Sequence, residues 1–318
     1  MKEKGLYYNP KGDFKSNQQI KRKFALDGEL PILETPFPDR KNWNYWSKRF
    51  IARQEQYIES SQLIEKQHVE ISFKGDTVIN FMGDQHIGGA AVNYNRIEQE
   101  VETIINTPSS FVIMVGDTID GFFFNPAQME QVEQTPEQWK YVKSLLEYLS
   151  ENDKLLIGFG GDHDGWPKKM GIDPYATFAE DLGAYYMQGV GHLTAKVNGQ
   201  EYKMTGAHRL PGFSMYNNVH PQMRASKEIQ GADVYYSAHT HIKGYSFQAI
   251  KEFGGTARKV NFISLGPYKS SDEYSRKKGW AVQSPQEMFG SAIILRSDNA
   301  QIDYYDDILE ANRLDKLK

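Results

Sequence analysis

Gly83-Asp84-Gln85-His86, Gly116-Asp117-Thr118-Ile119-Asp120 and Gly161-Asp162-His163-Asp164 each follow a short apolar run, and Ala207-His208 and Ala238-His239-Thr240-His241 follow two more. Five of the eight histidines fall in these clusters. The chain has no cysteine, so disulfides, thiolate zinc sites and cysteine nucleophiles are excluded. Carboxylate and imidazole donors without thiolate suit Mn, Fe, Zn or Ni, and a set this large can hold two ions. Two ions that share one water can lower its pKa towards neutrality. Asp84 and His86 are two positions apart, so an irregular loop can aim both at one ion. His239 and His241 can do the same, or divide between two ions.

Something must gather residues spread over more than 150 positions. From Val69 onward short apolar strands alternate with polar loops and helices, the signature of an α/β fold. Strands are expected at Val69–Phe73, Thr77–Met82, Phe111–Val115, Leu155–Phe159 and Val234–Ser237, with Asn198-Gly199 turning a hairpin. Further strands follow at Val260–Leu265, Ala292–Leu295 and Ile302–Tyr305, before a short charged helix. Helices are signalled at Tyr94–Ile105, at Pro136–Leu149 with Thr135 as N-cap, and at Pro174–Leu182. In a sheet of like-directed strands the exit loops meet along one edge, which brings the five clusters together. The glycine before each of the first three aspartates permits a tight exit and close approach of backbone to an ion.

The amino-terminal segment is different in kind. Up to about Arg40 it is polar and punctuated by Pro10, Pro31, Pro36 and Pro38, and reads as an arm. Trp43, Trp46, Phe50, Ile51, Tyr57, Ile58 and Leu63 then recur at helical spacing over Asn42–Gln67, a long amphipathic helix whose aromatic stripe is expected to pack into a core. Residues 1–53 hold 12 Lys/Arg against 6 Asp/Glu (+6), and the remainder 25 against 35 (−10). Such an arm is a solvated extension or a tether for a polyanion such as nucleic acid. No apolar run approaches the ~18 residues needed to cross a bilayer. Met1–Gly5 leads into no signal-peptide core, so the protein reads as soluble and cytoplasmic with no membrane partner. The expected organisation is arm and helix over 1–66 and a single catalytic domain over 67–318, with 266–318 as its closing strands, loop and helix.

In order and context the clusters resemble the calcineurin-like metallophosphoesterases, whose pattern is D-x-H, GD-x-x-D, GNH followed by D or E, a lone H, and GH-x-H. The likeness runs from about Val69 to Ser264. It implies two face-to-face β-sheets flanked by helices, a metallophosphoesterase-like sandwich, holding two divalent ions, Mn first. It further implies that Asp84, His86 and His241 hold one ion, that Asp117 bridges, and that Asp162, His208 and His239 complete the second. His163 would then face substrate as the general acid, since imidazole titrates near working pH, with Asp120 hydrogen-bonding it from behind and fixing its tautomer. Two positions depart from the pattern: Asp162 stands for the family's Asn and Ala238 for a Gly. The third carboxylate leaves +1 on two divalent ions where the family pattern leaves +2, which favours tight metal binding and a phosphodiester monoanion over a monoester dianion.

Asp84-Gln85-His86-Ile87-Gly88 resembles the nuclease branch of that family, the one containing double-strand-break-repair exonucleases. With the basic arm it points to hydrolysis of DNA or RNA. The alternatives are a small-molecule phosphodiesterase or nucleotidase, and a catalytically weak metal-binding assembly subunit. Arg209, beside His208, and His220, at an expected helix start, are candidate substrate contacts. His192 is expected to be structural and His68 a surface residue. Lys269, Arg276, Lys277 and Lys278 fall in what reads as a solvated loop.

Overall fold

The computed structural model describes residues 43–65, 67–122, 130–166, 174, 178, 181–182, 184–251, 255, 257–271, 276–277, 279 and 288–315. The chain divides into two compact units, Met1–Glu59 and Ser60–Lys318. The arm up to residue 42 lies outside the described residues, as does most of the expected helix Pro174–Leu182. Helix α1 (Trp43–Glu65) forms where the aromatic spacing places it. Its stripe is not core: Trp43 and Phe50 are 79% and 67% exposed, and Trp46 and Ile51 are exposed as well. Among the described residues the apolar cores are formed by residues from Val69 onward.

The second unit is built on twelve described strands. β1 (His68–Phe73), β6 (Gly191–Val197), β7 (Gln200–Ala207), β8 (Val234–Ser237), β10 (Ala257–Ser264) and β9 (Gly244–Lys251) lie side by side in that order. The second sheet runs β12 (Ile302–Tyr305), β11 (Ser291–Leu295), β2 (Thr77–Met82), β3 (Ser110–Val115), β4 (Leu155–Phe159), β5 (Tyr185–Met187). β2 to β5 are mutually parallel, and β7, β8 and β10 are parallel in the other sheet. β6 and β7 form the hairpin announced by Asn198-Gly199, both at positive φ.

Strand periodicity assigns each side chain to a layer. Ile79, Phe81, Ile113, Val115, Ile157 and Phe159 of one sheet meet Leu193, Met204, Val234, Tyr236 and Ile263 of the other in a shared core. The alternate residues Val78, Met82, Val112 and Met114 face outward and are covered by α2 (Tyr94–Ile105), α3 (Thr135–Glu151) and α5 (Ile308–Asp315). β2 is consequently buried along its whole length, as a run of TVINFM buried on both faces requires. On the far side Val219 and Ala225, around α4 (His220–Glu228), cover Ala207, Tyr235 and Phe262. The architecture is the expected one, two face-to-face sheets flanked by helices. Two details differ. α3 takes Gln134 rather than Thr135 as N-cap, with no side-chain capping bond, and the three-residue β5 is too short for periodicity to signal.

The strand exits are locked together before any side chain acts. Asp84 N donates to Gly116 O (3.0 Å), His86 N to Asp117 O (3.0 Å) and Ala238 N to His208 O (3.0 Å), extending the pairing beyond β2, β3, β7 and β8. Gly116 sits at φ +78°, and a Cβ there would lie 2.8 Å from Gly161 Cα and 2.9 Å from His208 Cβ. A Cβ on Gly161 would lie 2.0 Å from Asp117 N. Both glycines therefore set the distance between three exit loops. Gly161→Ala is expected to cost ~3–4 kcal/mol, seen as a lower denaturation midpoint. Gly189→Ala, where φ is +77° but space is open, should cost only ~1–2 kcal/mol. Equal losses would show that the loops yield to a Cβ at Gly161 and that its contact with Asp117 does not set their distance.

Candidate metal centre

Five residues of the exit loops hold backbone conformations that L-residues avoid: Asp84 (φ 52°), His86 (49°), Asp117 (48°), His239 (70°) and His241 (56°). Strain of order 1–3 kcal/mol per residue persists only where surrounding structure over-determines it. Here the pairing beyond the strands does so, and it turns each side chain towards one rim of the sandwich.

Three donor groupings result, each with its atoms within 4.8 Å: Asp84, His86 and His241; Asp117, His208 and His239; and His86, Asp120 and His163. The first two are the sets expected to surround two ions, apart from Asp162. His86 Nε2 and His241 Nε2 face each other at 3.0 Å, and His241 Nε2 lies 3.8 Å from Asp84 Oδ1. His208 Nδ1 donates to Val115 O (2.9 Å), which directs Nε2 towards Asp117 Oδ2 at 3.2 Å. Asp84 Oδ2 accepts from His239 N (2.9 Å), tying one sheet's loop to the other's. Asp162 stands at the edge, half exposed, with Oδ2 3.3 Å from His239 Nδ1 and 3.5 Å from Arg209 Nη1. Arg209 thus faces the Asp162 carboxylate. An exposed ion pair of this kind is worth at most ~1 kcal/mol.

The donor atoms fit cations. Among the described residues the buried Asp84 Oδ1 has no hydrogen-bond partner, a costly state for a polar atom unless an ion takes the place of one. Burial lowers the pKa of His86 and of His239, and lowers that of His241 strongly, leaving neutral imidazoles with lone pairs to give. Burial raises Asp84 well above the carboxylate range. Burial would also raise Asp117, but the adjoining His208 outweighs it and holds the carboxyl well below that range. The proton on His208 occupies the place of a positive charge that the carboxylates lack.

His163 is held from three sides. Its backbone N donates to Asp117 Oδ1 (2.7 Å), Nδ1 donates to the Asp120 carbonyl oxygen (2.6 Å), and its ring stacks on Trp166 with centroids 4.2 Å apart. Asp120 does hydrogen-bond His163 as expected, but through its main-chain carbonyl and not its carboxylate. The Asp120 carboxylate lies 3.2 Å from His86 Nδ1 and accepts from Lys269 Nζ at 2.7 Å. Burial would raise its pKa, but His86 and Lys269 outweigh burial and hold it at about 2.

Two residues without an expected role prove central. Lys269 is buried rather than solvated, because β10 is parallel to β8 and its exit loop lies on the same edge as the others. Asp164, 1% exposed, accepts from Thr118 N (3.0 Å), Thr118 Oγ1 (2.7 Å) and Gly161 N (3.0 Å), fastening the β3 exit to the β4 exit. Of the remaining candidates, Arg209 is exposed at the rim and His220 joins none of the three groupings; its buried Nδ1 has no hydrogen-bond partner. His192 bonds Thr205 across the hairpin, and His68 bonds Thr194 at the sheet edge.

No family model matches the chain, and no curated protein does. Among solved structures it is similar to a predicted phosphoesterase from Streptococcus pneumoniae, at 13% identity over 72% of this chain and 88% of that one, TM-score 0.35. It is similar to Vacuolar Protein Sorting 29 of Cryptosporidium parvum at 13% identity over 72% and 96%, TM-score 0.35. Nuclease MPE of Pseudomonas putida is 11% identical over 71% and 86%, TM-score 0.32. At such distances the chain's own residues must carry any functional argument.

Burial opposes the His208 imidazolium, yet Asp117 beside it wins, moving the pKa from 6.5 to about 10. Between those values the folded, metal-free chain keeps a proton that the unfolded chain releases. Its stability is therefore fully supported below pH 6.5 and falls as pH rises towards about 10. Thermal melts of chelator-treated protein across this range should show that decline, and Mn affinity should climb over the same range as the ion displaces the proton. A flat profile, or an unchanged slope in His208→Gln, would contradict the assignment.

Proposed function

We propose that the chain is a metal-dependent phosphoester hydrolase of the calcineurin-like kind, acting on phosphodiesters, with DNA or RNA as its first substrates. The observation that supports this most is the convergence of two carboxylate–imidazole sets, from exits of both sheets, on one rim beside His163. Divalent ions bound there, Mn foremost, would supply Lewis acidity at the phosphoryl oxygens and an activated water.

The rest falls to side chains. Asp84, His86 and His241 would hold one ion, Asp162, His208 and His239 the other, with Asp117 between them. His208 is fixed in the useful tautomer by the Val115 carbonyl, as second-shell partners of metal-bound histidines do. Asp120 and Lys269 orient His86 in the same sense. With Nδ1–H committed to the Asp120 carbonyl, His163 keeps Nε2 for the departing oxygen, to which it gives a proton. Negative Asp162 at the rim disfavours a dianionic monoester relative to a diester. The +6 charge of residues 1–53 would tether a polyanionic substrate, an attraction that weakens as salt rises.

Mn-loaded protein should hydrolyse a bis-aryl phosphate and polynucleotide, prefer either to an aryl monophosphate, and lose all three activities to chelator. His163→Ala should lower turnover on esters with poor leaving groups by ~10²–10⁴-fold and spare activated aryl esters. Stoichiometric metal without hydrolysis of any ester would mark a metal-binding subunit instead.

A further inference from the structure

Between β7 and α4 the chain leaves His208 and Arg209 and runs through residues 210–219, with its two ends tied to segments of the metal centre. Phe213, Met215 and Tyr216 are 69%, 79% and 96% exposed, three large apolar side chains within four positions. Scattered apolar side chains on a surface are ordinary, but a concentrated group beside a polar site marks a contact. The loop is not loose. Leu210 and Val219 are buried in the core at its two ends. Asn218 Nδ2 donates to Lys243 O (3.1 Å), two positions beyond His241, and Arg209 meets Asp162 at the other end. The loop is thus anchored to segments that carry donors of both metal sets. Residues 210–219 hold no acidic residue, while Arg209 and Arg224 on either side pair with Asp162 and Glu228.

We infer that this loop is a stacking platform for the bases that flank the scissile phosphate, so that the substrate is a single-stranded stretch of polynucleotide. The inference rests on the phosphodiesterase reading above and extends it from the phosphate to its neighbours. Flat, exposed aromatic side chains accept the face of any base, and the loop itself brings no carboxylate towards the phosphates between them.

The test uses the full chain with Ca in place of Mn, and fluorescence anisotropy of a labelled single-stranded 12-residue oligodeoxynucleotide and of its abasic counterpart. Phe213→Ser/Tyr216→Ser should raise the Kd of the normal strand by roughly 5- to 100-fold and leave that of the abasic strand within about twofold. Phe213→Tyr/Tyr216→Phe should restore wild-type binding. An unchanged Kd, or an equal loss on both strands, overturns the inference. So does loss of binding to phosphatidylserine vesicles with oligonucleotide binding intact, which makes the loop a membrane contact. Hydrolysis of bis-aryl phosphate by the same Mn-loaded variants should match wild type. This readout separates the two claims: absent hydrolysis with base-dependent binding retained sinks the phosphodiesterase reading and not the platform.

Discussion

Buried negative charge is the constraint around which this molecule is organised. Asp84, Asp117, Asp120 and Asp164 are each no more than 3% exposed, and they lie at the meeting edge of two sheets. Burying a carboxylate costs several kcal/mol unless hydrogen bonds or opposite charge offset it. Asp164 is satisfied by two donors of Thr118 in the β3 exit loop and by Gly161 N of its own loop, and Asp120 by Lys269. The protonated imidazole of His208 offsets Asp117, while burial opposes a charge on Asp84, whose Oδ1 has no hydrogen-bond partner among the described residues. The deficit of positive charge is what divalent ions would supply, so folding energy and metal affinity are linked through the same atoms.

The sandwich makes such a deficit tolerable. Twelve strands with apolar layers on both faces fix the ends of β2, β3, β4, β7, β8 and β10, and hydrogen bonds past the strands fix the first residues of their loops. That frame over-determines five positive-φ positions, which is how strain is kept where the donors must point inward. The cross-sheet bonds His208 Nδ1 to Val115 O and His239 N to Asp84 Oδ2 place the centre between the sheets rather than on either one.

Much of this is legible in the sequence, for a definite reason. A metal centre at strand exits writes itself as an apolar run followed by Gly-Asp or His, and five such runs in order specify both architecture and convergence. What reads poorly is what depends on tertiary geometry. Lys269 looks like one cation of a polar loop until β10 is known to be parallel to β8; applying the strand-exit rule to Val260–Leu265 would have found it. The carbonyl of Asp120 rather than its carboxylate meets His163, a choice set by backbone direction that no residue letter encodes. The stripe of α1 has helical period, but periodicity identifies a face and not what covers it. Asp164 carries a signal only through its neighbours, since a buried aspartate and a solvated one share a letter.

The central claim, that two neighbouring ions share Asp117, is tested most directly by low-temperature EPR of the full chain titrated with Mn. Two equivalents per chain with a spin-coupled spectrum, reduced to an uncoupled signal in Asp117→Ala, is the expected result. A single equivalent, or two bound Mn ions with independent six-line spectra in the unaltered chain, would contradict it.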